Sequence, residues 1–124
     1  PMVEELRRRG HKLYVFERSP KREDVLPDWA AEYLLPRLSV ALITGTAVVN
    51  KTIDHLLELA RNAREVAVLG PSTPLAGEVF KRHGVTLLSG MVVEEPQKAL
   101  KIISQGGGVR ELKKVARKVT LDLR

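Results

Sequence analysis

Cysteine is absent from the 124 residues of this chain, which excludes disulfides, thiolate metal sites and cysteine nucleophiles together. Aromatic residues are scarce, at 4%. Single-stranded nucleic acid is held by bases stacking on exposed aromatics beside a basic groove, and no such interleaving occurs here. No apolar run approaches the roughly 18 residues that a membrane span requires. Nor does a signal-peptide pattern open the chain, so we expect a cytoplasmic protein without membrane contact. Asn and Gln are confined to Asn50, Asn62, Gln97 and Gln105, while Lys, Arg and Glu abound. That balance is common in proteins of hot environments.

What is present is ordinary for a globular chain: 44% hydrophobic and 29% charged residues. A chain of this length buries roughly two thirds of its unfolded surface, and one domain over residues 1–124 is expected. The charge is +6, from 21 basic and 15 acidic residues. The basic residues are dispersed as Arg7-Arg8-Arg9, as Arg18, Lys21 and Arg22, and as Lys113, Lys114, Arg117 and Lys118 in a basic C-terminal segment, 109–124. We read them as solvated surface and do not expect a nucleic-acid partner. The alternative of a basic nucleic-acid module predicts affinity that falls steeply with salt.

Patterning alternates helix and strand. Val3 and Leu6 at helical spacing, acids early and arginines late, predict an opening helix stopped by Gly10. Residues 12–17 read as a strand too apolar on both faces to be an edge, and 18–28 as a loop. Asp28 is positioned to cap a helix that Pro36 ends. Further strands are expected at 39–44, 66–69 and 85–88, with helices over 52–62, from a Thr73 cap with Pro74 at the first turn through Arg82, and over 96–104. Strands separated by helices imply parallel pairing with right-handed crossovers. The expected fold is a three-layer, Rossmann-like α/β domain with a mostly parallel sheet that lacks the usual first strand. An open slot in the sheet follows, to be filled by Val119–Leu123 or by a second chain, which makes a homo-oligomer the expectation.

Two strand-to-helix turns carry the chemistry, Thr44-Gly45-Thr46 and Gly70-Pro71-Ser72-Thr73-Pro74. Such turns lie at the carboxyl ends of parallel strands, where ligands bind and helix N–H groups point outward. Gly45 permits close backbone approach, Thr46 offers a hydroxyl, and Asn50 offers a donor and an acceptor. Alternatively Gly45 only makes the turn and Asn50 only caps a helix. Two prolines stiffen the loop around Ser72 and Thr73, so it loses little entropy on binding an anion. The competing role for Thr73 is a plain helix cap. Glu17 ends its strand where ribose hydroxyls are received in dinucleotide folds, or it pairs with Arg18 on the surface. Glu94 is a further candidate for the same rim. No P-loop, Gly-x-Gly-x-x-Gly or Gly-x-Ser-x-Gly motif is present. His11, His55 and His83 have no recognisable zinc spacing. A divalent cation held by carboxylates and ligand oxygens stays open. Gly106-Gly107-Gly108 reads as a helix stop, or as a flexible anion-binding loop.

The run from Leu42 to Thr52, Leu69-Gly70-Pro71-Ser72-Thr73-Pro74-Leu75, the Gly106–Gly108 triplet, Val15-Phe16-Glu17-Arg18 and Leu34-Leu35-Pro36 together resemble the C-terminal Rossmann-like domain of a prokaryotic family of unknown function. That family is named for "putative heavy-metal chelation". The resemblance implies a partner domain like the enolase N-terminal fold, absent from this sequence, and a site in the cleft between the two. The first reading is therefore a domain that binds a small anionic or metal-chelating ligand through Gly45, Thr46, Asn50, Gly70, Ser72, Thr73 and Glu17. The second is a transferase or lyase acting on a nucleotide-like or pterin-like metabolite, for which no catalytic base can be named.

Overall fold

The computed structural model describes residues 2–124. Helix α1 (Met2–Arg8) carries Glu4 and Glu5 in its first turn and buries none of its residues. Arg7 reaches Asp24 in the following loop, while Arg8 and Arg9, the residue after the helix, pair back to Glu5. The strand expected over 12–17 is much shorter. Only β1 (Phe16–Glu17) forms a ladder, and it pairs in parallel with β2 (Leu26–Pro27), inside the segment expected to be loop. Of residues 12–15 only Val15 reaches the neighbouring strand, its C=O accepting from Leu26 N–H at 2.7 Å. The helix expected from Asp28 is also broken, into two 3₁₀ turns, Asp28–Ala30 and Leu35–Arg37, around the four residues of α2 (Ala31–Leu34). Pro36 sits in the second turn, near its start, where its missing N–H costs nothing.

The remaining elements are β3 (Val40–Thr44), α3 (Thr46–Val49), α4 (Ile53–Leu59), β4 (Glu65–Leu69), α5 (Gly77–Arg82), β5 (Leu87–Val93), α6 (Pro96–Ser104), α7 (Val109–Leu112) and β6 (Ala116–Asp122). The central sheet has the order β3-β4-β5-β6, with the first three strands parallel and β6 antiparallel to β5. The expected α/β class and mostly parallel sheet are found.

Three local departures have physical causes. The helix expected over 52–62 forms as α4, but an extra helical turn, α3, precedes it and is set off from it by Lys51, which takes a left-handed conformation, φ +59°. Lys51 N–H donates to Val48 C=O and Thr52 N–H to Ala47 C=O, a helix stop usually built on glycine. Strand β5 runs on through Ser89 and Gly90, where a turn was expected, because β6 pairs with it along seven residues. For the same reason residues 119–123 do not fill a slot next to β3. They close the opposite side of the sheet.

Hydrophobic packing fixes the order of burial. Val66, Ala67 and Val68 of β4 are all buried, so both faces of that strand are covered. On β3 only one face is: Ala41 and Ile43 are 2% and 6% exposed, whereas Val40 and Leu42 are each 48% exposed. Leu57, Ala60, Phe80, Val85 and Leu88 join the covered side in one cluster.

Candidate functional site

The carboxyl ends of β3 and β4 and the middle of β5 are tied together by backbone. Gly45 N–H donates to Leu69 C=O at 2.7 Å, and Gly70 N–H donates to Ser89 C=O at 3.0 Å. Gly70 holds φ +119°, which other residues rarely adopt. From it the chain turns, with Thr73 N–H donating to Gly70 C=O at 3.0 Å. Thr73 is then set down between two glycines. A Cβ on Gly45 would lie 2.5 Å from Thr73 Oγ1 and 2.6 Å from its backbone nitrogen, and one on Gly90 would lie 2.6 Å from Thr73 C=O. Gly45 is thus a spacing requirement and not a conformational one, because its φ is an ordinary −59°.

Thr73 is not a helix cap. Helix α5 begins only at Gly77, and Thr73 is 5% exposed with a buried hydroxyl that has no hydrogen-bond partner among the described residues. A buried hydroxyl without a partner costs about 1–3 kcal/mol. Ser72, one residue earlier, is exposed, and no bond to its hydroxyl or its N–H occurs among the described residues. The two prolines hold this pair at the top of the loop.

The expected donors of the first turn are largely spent. Gly45 N–H is used within the sheet, and Thr46 N–H and Oγ1 both face Thr44 Oγ1 at 3.3 Å. Asn50 lies exposed at the end of α3, not at the start of a helix. The structure thus brings Gly45, Gly70 and Thr73 together, leaves Ser72 beside them, and puts Thr46 and Asn50 on the exposed run that follows. Glu17 is exposed at the end of β1 in the smaller sheet, and forms no ion pair with Arg18 among the described residues. Glu94 pairs with Arg117 at 3.6 Å. Gly90 was missed as a member of the site. Its signal in the sequence, a glycine inside an apolar run, marks close backbone approach as readily as a turn.

Charged networks lie elsewhere. Arg124 beside Asp122 holds that carboxyl at about 2. The Gly108 N–H lowers the Glu111 carboxyl, and Arg7 lowers Asp24. The Gly108–Glu111 bond, 2.9 Å, caps α7, while Gly106 and Gly107 close α6. The glycine triplet is therefore a stop and a start between two helices. For a metal, the donor set is poor. His55 bonds Glu32, and no group of three or more His, Asp or Glu residues stands together among the described residues. The side chains at the turns are hydroxyls, which suit an anion or a polar ligand better than a soft cation.

A mainly parallel sheet, helical crossovers and turns gathered at strand ends define a Rossmann-like α/β domain. Residues 1–122 match the family described as "Putative heavy-metal chelation" (DUF364), and the chain belongs to that family. It is 34% identical over 114 residues to an uncharacterized protein of Methanocaldococcus jannaschii, covering 90% of this chain and 44% of that protein. Crystal structures of two family proteins of unknown function resemble it. One, from Desulfitobacterium hafniense, is 38% identical with a TM-score of 0.85, and covers 98% of this chain and 49% of that one. The other, from Pyrococcus horikoshii, is 27% identical with a TM-score of 0.86, and covers 98% and 52%. The chain spans about half the length of these relatives. No helix among the described residues is long and apolar enough to cross a membrane.

Proposed function

We propose that this domain binds a small anionic ligand over the Gly45, Gly70 and Ser72-Thr73 turns, with Thr46 and Asn50 flanking it and Glu17 a further contributor. The observation that carries the reading is the Thr73 hydroxyl, buried without a partner on a loop stiffened by two prolines. Native proteins seldom leave such a group unpaired, and when they do a use is the usual reason. Ser72 supplies a second hydroxyl and an N–H at the exposed side of the same loop. Because the histidines and carboxylates do not cluster among the described residues, a heavy metal fits this domain as cargo carried by a chelating ligand such as a polycarboxylate. The chain would then grip the ligand's oxygens and not the ion.

The test is a guanidinium stability titration with inorganic phosphate, citrate and a nucleoside monophosphate, each with and without a divalent cation. A ligand at about a hundred times its Kd adds roughly 2.7 kcal/mol. Stabilisation of the wild type by one of these, lost in Ser72→Ala, supports the reading. Equal response in the variant, or none from any probe, sinks it. Thr73→Val keeps the shape and removes the orphaned hydroxyl, so it should stabilise the free protein by about 1 kcal/mol and abolish the response.

A further inference from the structure

Away from the strand-end turns, an open cleft of about 370 Å³ lies between α6 and the connection from α7 into β6. Its floor is apolar, made by Ile102 of α6 and by Val115 of the connection, which is 5% exposed. Backbone fixes both walls. Val115 C=O accepts from Glu94 N–H at 2.8 Å and from Glu95 N–H at 3.2 Å, and Val115 N–H donates to Leu112 C=O at 3.0 Å. On the other side Gly107 N–H donates to Ile102 C=O at 2.9 Å, so closely packed that a Cβ on Gly107 would lie 2.4 Å from Ile102 Cγ2. A cleft held this way is formed before any ligand arrives, and binding there does not have to order it.

The rim is cationic. Lys98 and Lys101 line it from α6 and Lys114 from the opposite wall, with Glu95 the one acid among them. Glu95 is already engaged by Lys98 at 2.5 Å. Lys101 and Lys114 form no ion pair among the described residues, and Lys114 acts on Glu111 only at a distance, because that carboxylate is bonded to Gly108 N–H. Lysine stems lie readily along apolar surface while their ammonium heads stay in water. An inorganic anion would satisfy the heads and leave Ile102 and Val115 uncovered, whereas an uncharged apolar molecule would do the reverse. We propose that this cleft binds a free amphiphilic anion, an alkyl or aryl carboxylate, with its head between Lys101 and Lys114 and its apolar body over Ile102 and Val115. The volume lies near the lower end of the roughly 300–1,000 Å³ of small-molecule pockets, which fits one short chain or ring. The cleft shares no residue with the Gly45, Gly70 and Ser72-Thr73 turns, so it stands apart from the anion-site reading.

The experiment is a nuclear magnetic resonance titration of the full chain with octanoate below its micelle concentration. Amide shifts should saturate and centre on Ile102, Gln105 and Val115. With two exposed ion pairs at stake, Lys101→Gln/Lys114→Gln should weaken binding at least about fivefold. Lys113→Gln/Lys118→Gln removes the same charge outside the cleft and should leave binding unchanged. Octyl glucoside and inorganic phosphate, each carrying one half of the ligand's chemistry, should not titrate these amides. The proposal is overturned by the absence of saturable shifts at the three amides, by equal weakening in both double variants, or by an equal response to the glucoside or to phosphate alone. Shifts produced only by vesicles of anionic phospholipid would overturn it too, because the partner would then be a membrane surface. Ser72→Ala should bind octanoate as the wild type does, so failure here and failure of the anion site are read separately.

Discussion

Strand β6 closes one side of the central sheet with Arg117, Lys118 and Asp122 among its seven residues, whereas β3 ends the other side with Val-Ala-Leu-Ile-Thr. The first is paired with β5 along its whole length and turns charge to solvent. The second is paired on one side and half-exposes Val40 and Leu42. Position in the sheet is equivalent, so the difference lies in what each strand's sequence prepares it to meet. One is written for water and the other for protein.

The largest expected effect comes from removing the charged edge. Deleting residues 116–124 strips β5 of seven paired residues and uncovers Leu88, and the chain should lose its cooperative guanidinium transition. Next come the two glycines that connect the sides. Gly90→Ala and Gly45→Ala each press a methyl into Thr73 and should each cost about 1–3 kcal/mol in guanidinium unfolding. Since both displace the same residue, the double variant should cost less than the sum of the two. On the β3 side, Lys51→Gly should raise stability by about 1 kcal/mol in the same assay by relieving the left-handed backbone. The smallest effect belongs to the β6 side. Asp122, held at about 2 by Arg124, has a lower pKa folded than unfolded, where a carboxyl sits near the 3.8 of a free side chain. Its contribution is therefore full above that value and lost as pH falls from about 4 toward 2. Asp122→Asn should flatten this part of the stability profile, and an unchanged profile would remove Asp122 from the comparison.

Much of the fold was legible because glycine wrote it. Helices α1, α5 and α6 stop at Gly10, Gly84 and Gly106, each in the left-handed region. The break between α3 and α4 uses the same hydrogen bonds around Lys51, and no local rule marks a lysine for that place. Residues 12–15 have the composition of a strand, but a strand also needs a neighbour along its length, and the short β2 reaches only Val15 among them. Around the two turns, the sequence picked out Gly45, with its close backbone approach, and Gly70, Ser72 and Thr73, but misjudged the place of Thr73. Helix-capping chemistry suggested Thr73 as a cap, whereas packing buried it between Gly45 and Gly90. That contact depends on residues separated along the chain, and it becomes visible only once β3, β4 and β5 lie side by side.

Order of synthesis gives the bare edge a further consequence. On the ribosome β3 emerges long before β6, so β4 and β5 can join it while β5 still lacks its antiparallel partner. During that interval both sides of the young sheet are open and apolar, and only one of them will later be sealed by the chain's own Ala116–Asp122. Parallel pairings across intervening helices form slowly and leave such edges open to other chains. The hazard for this protein is thus concentrated in time as well as in place. Growth temperature and expression rate should govern its yield more strongly than the stability of the finished fold.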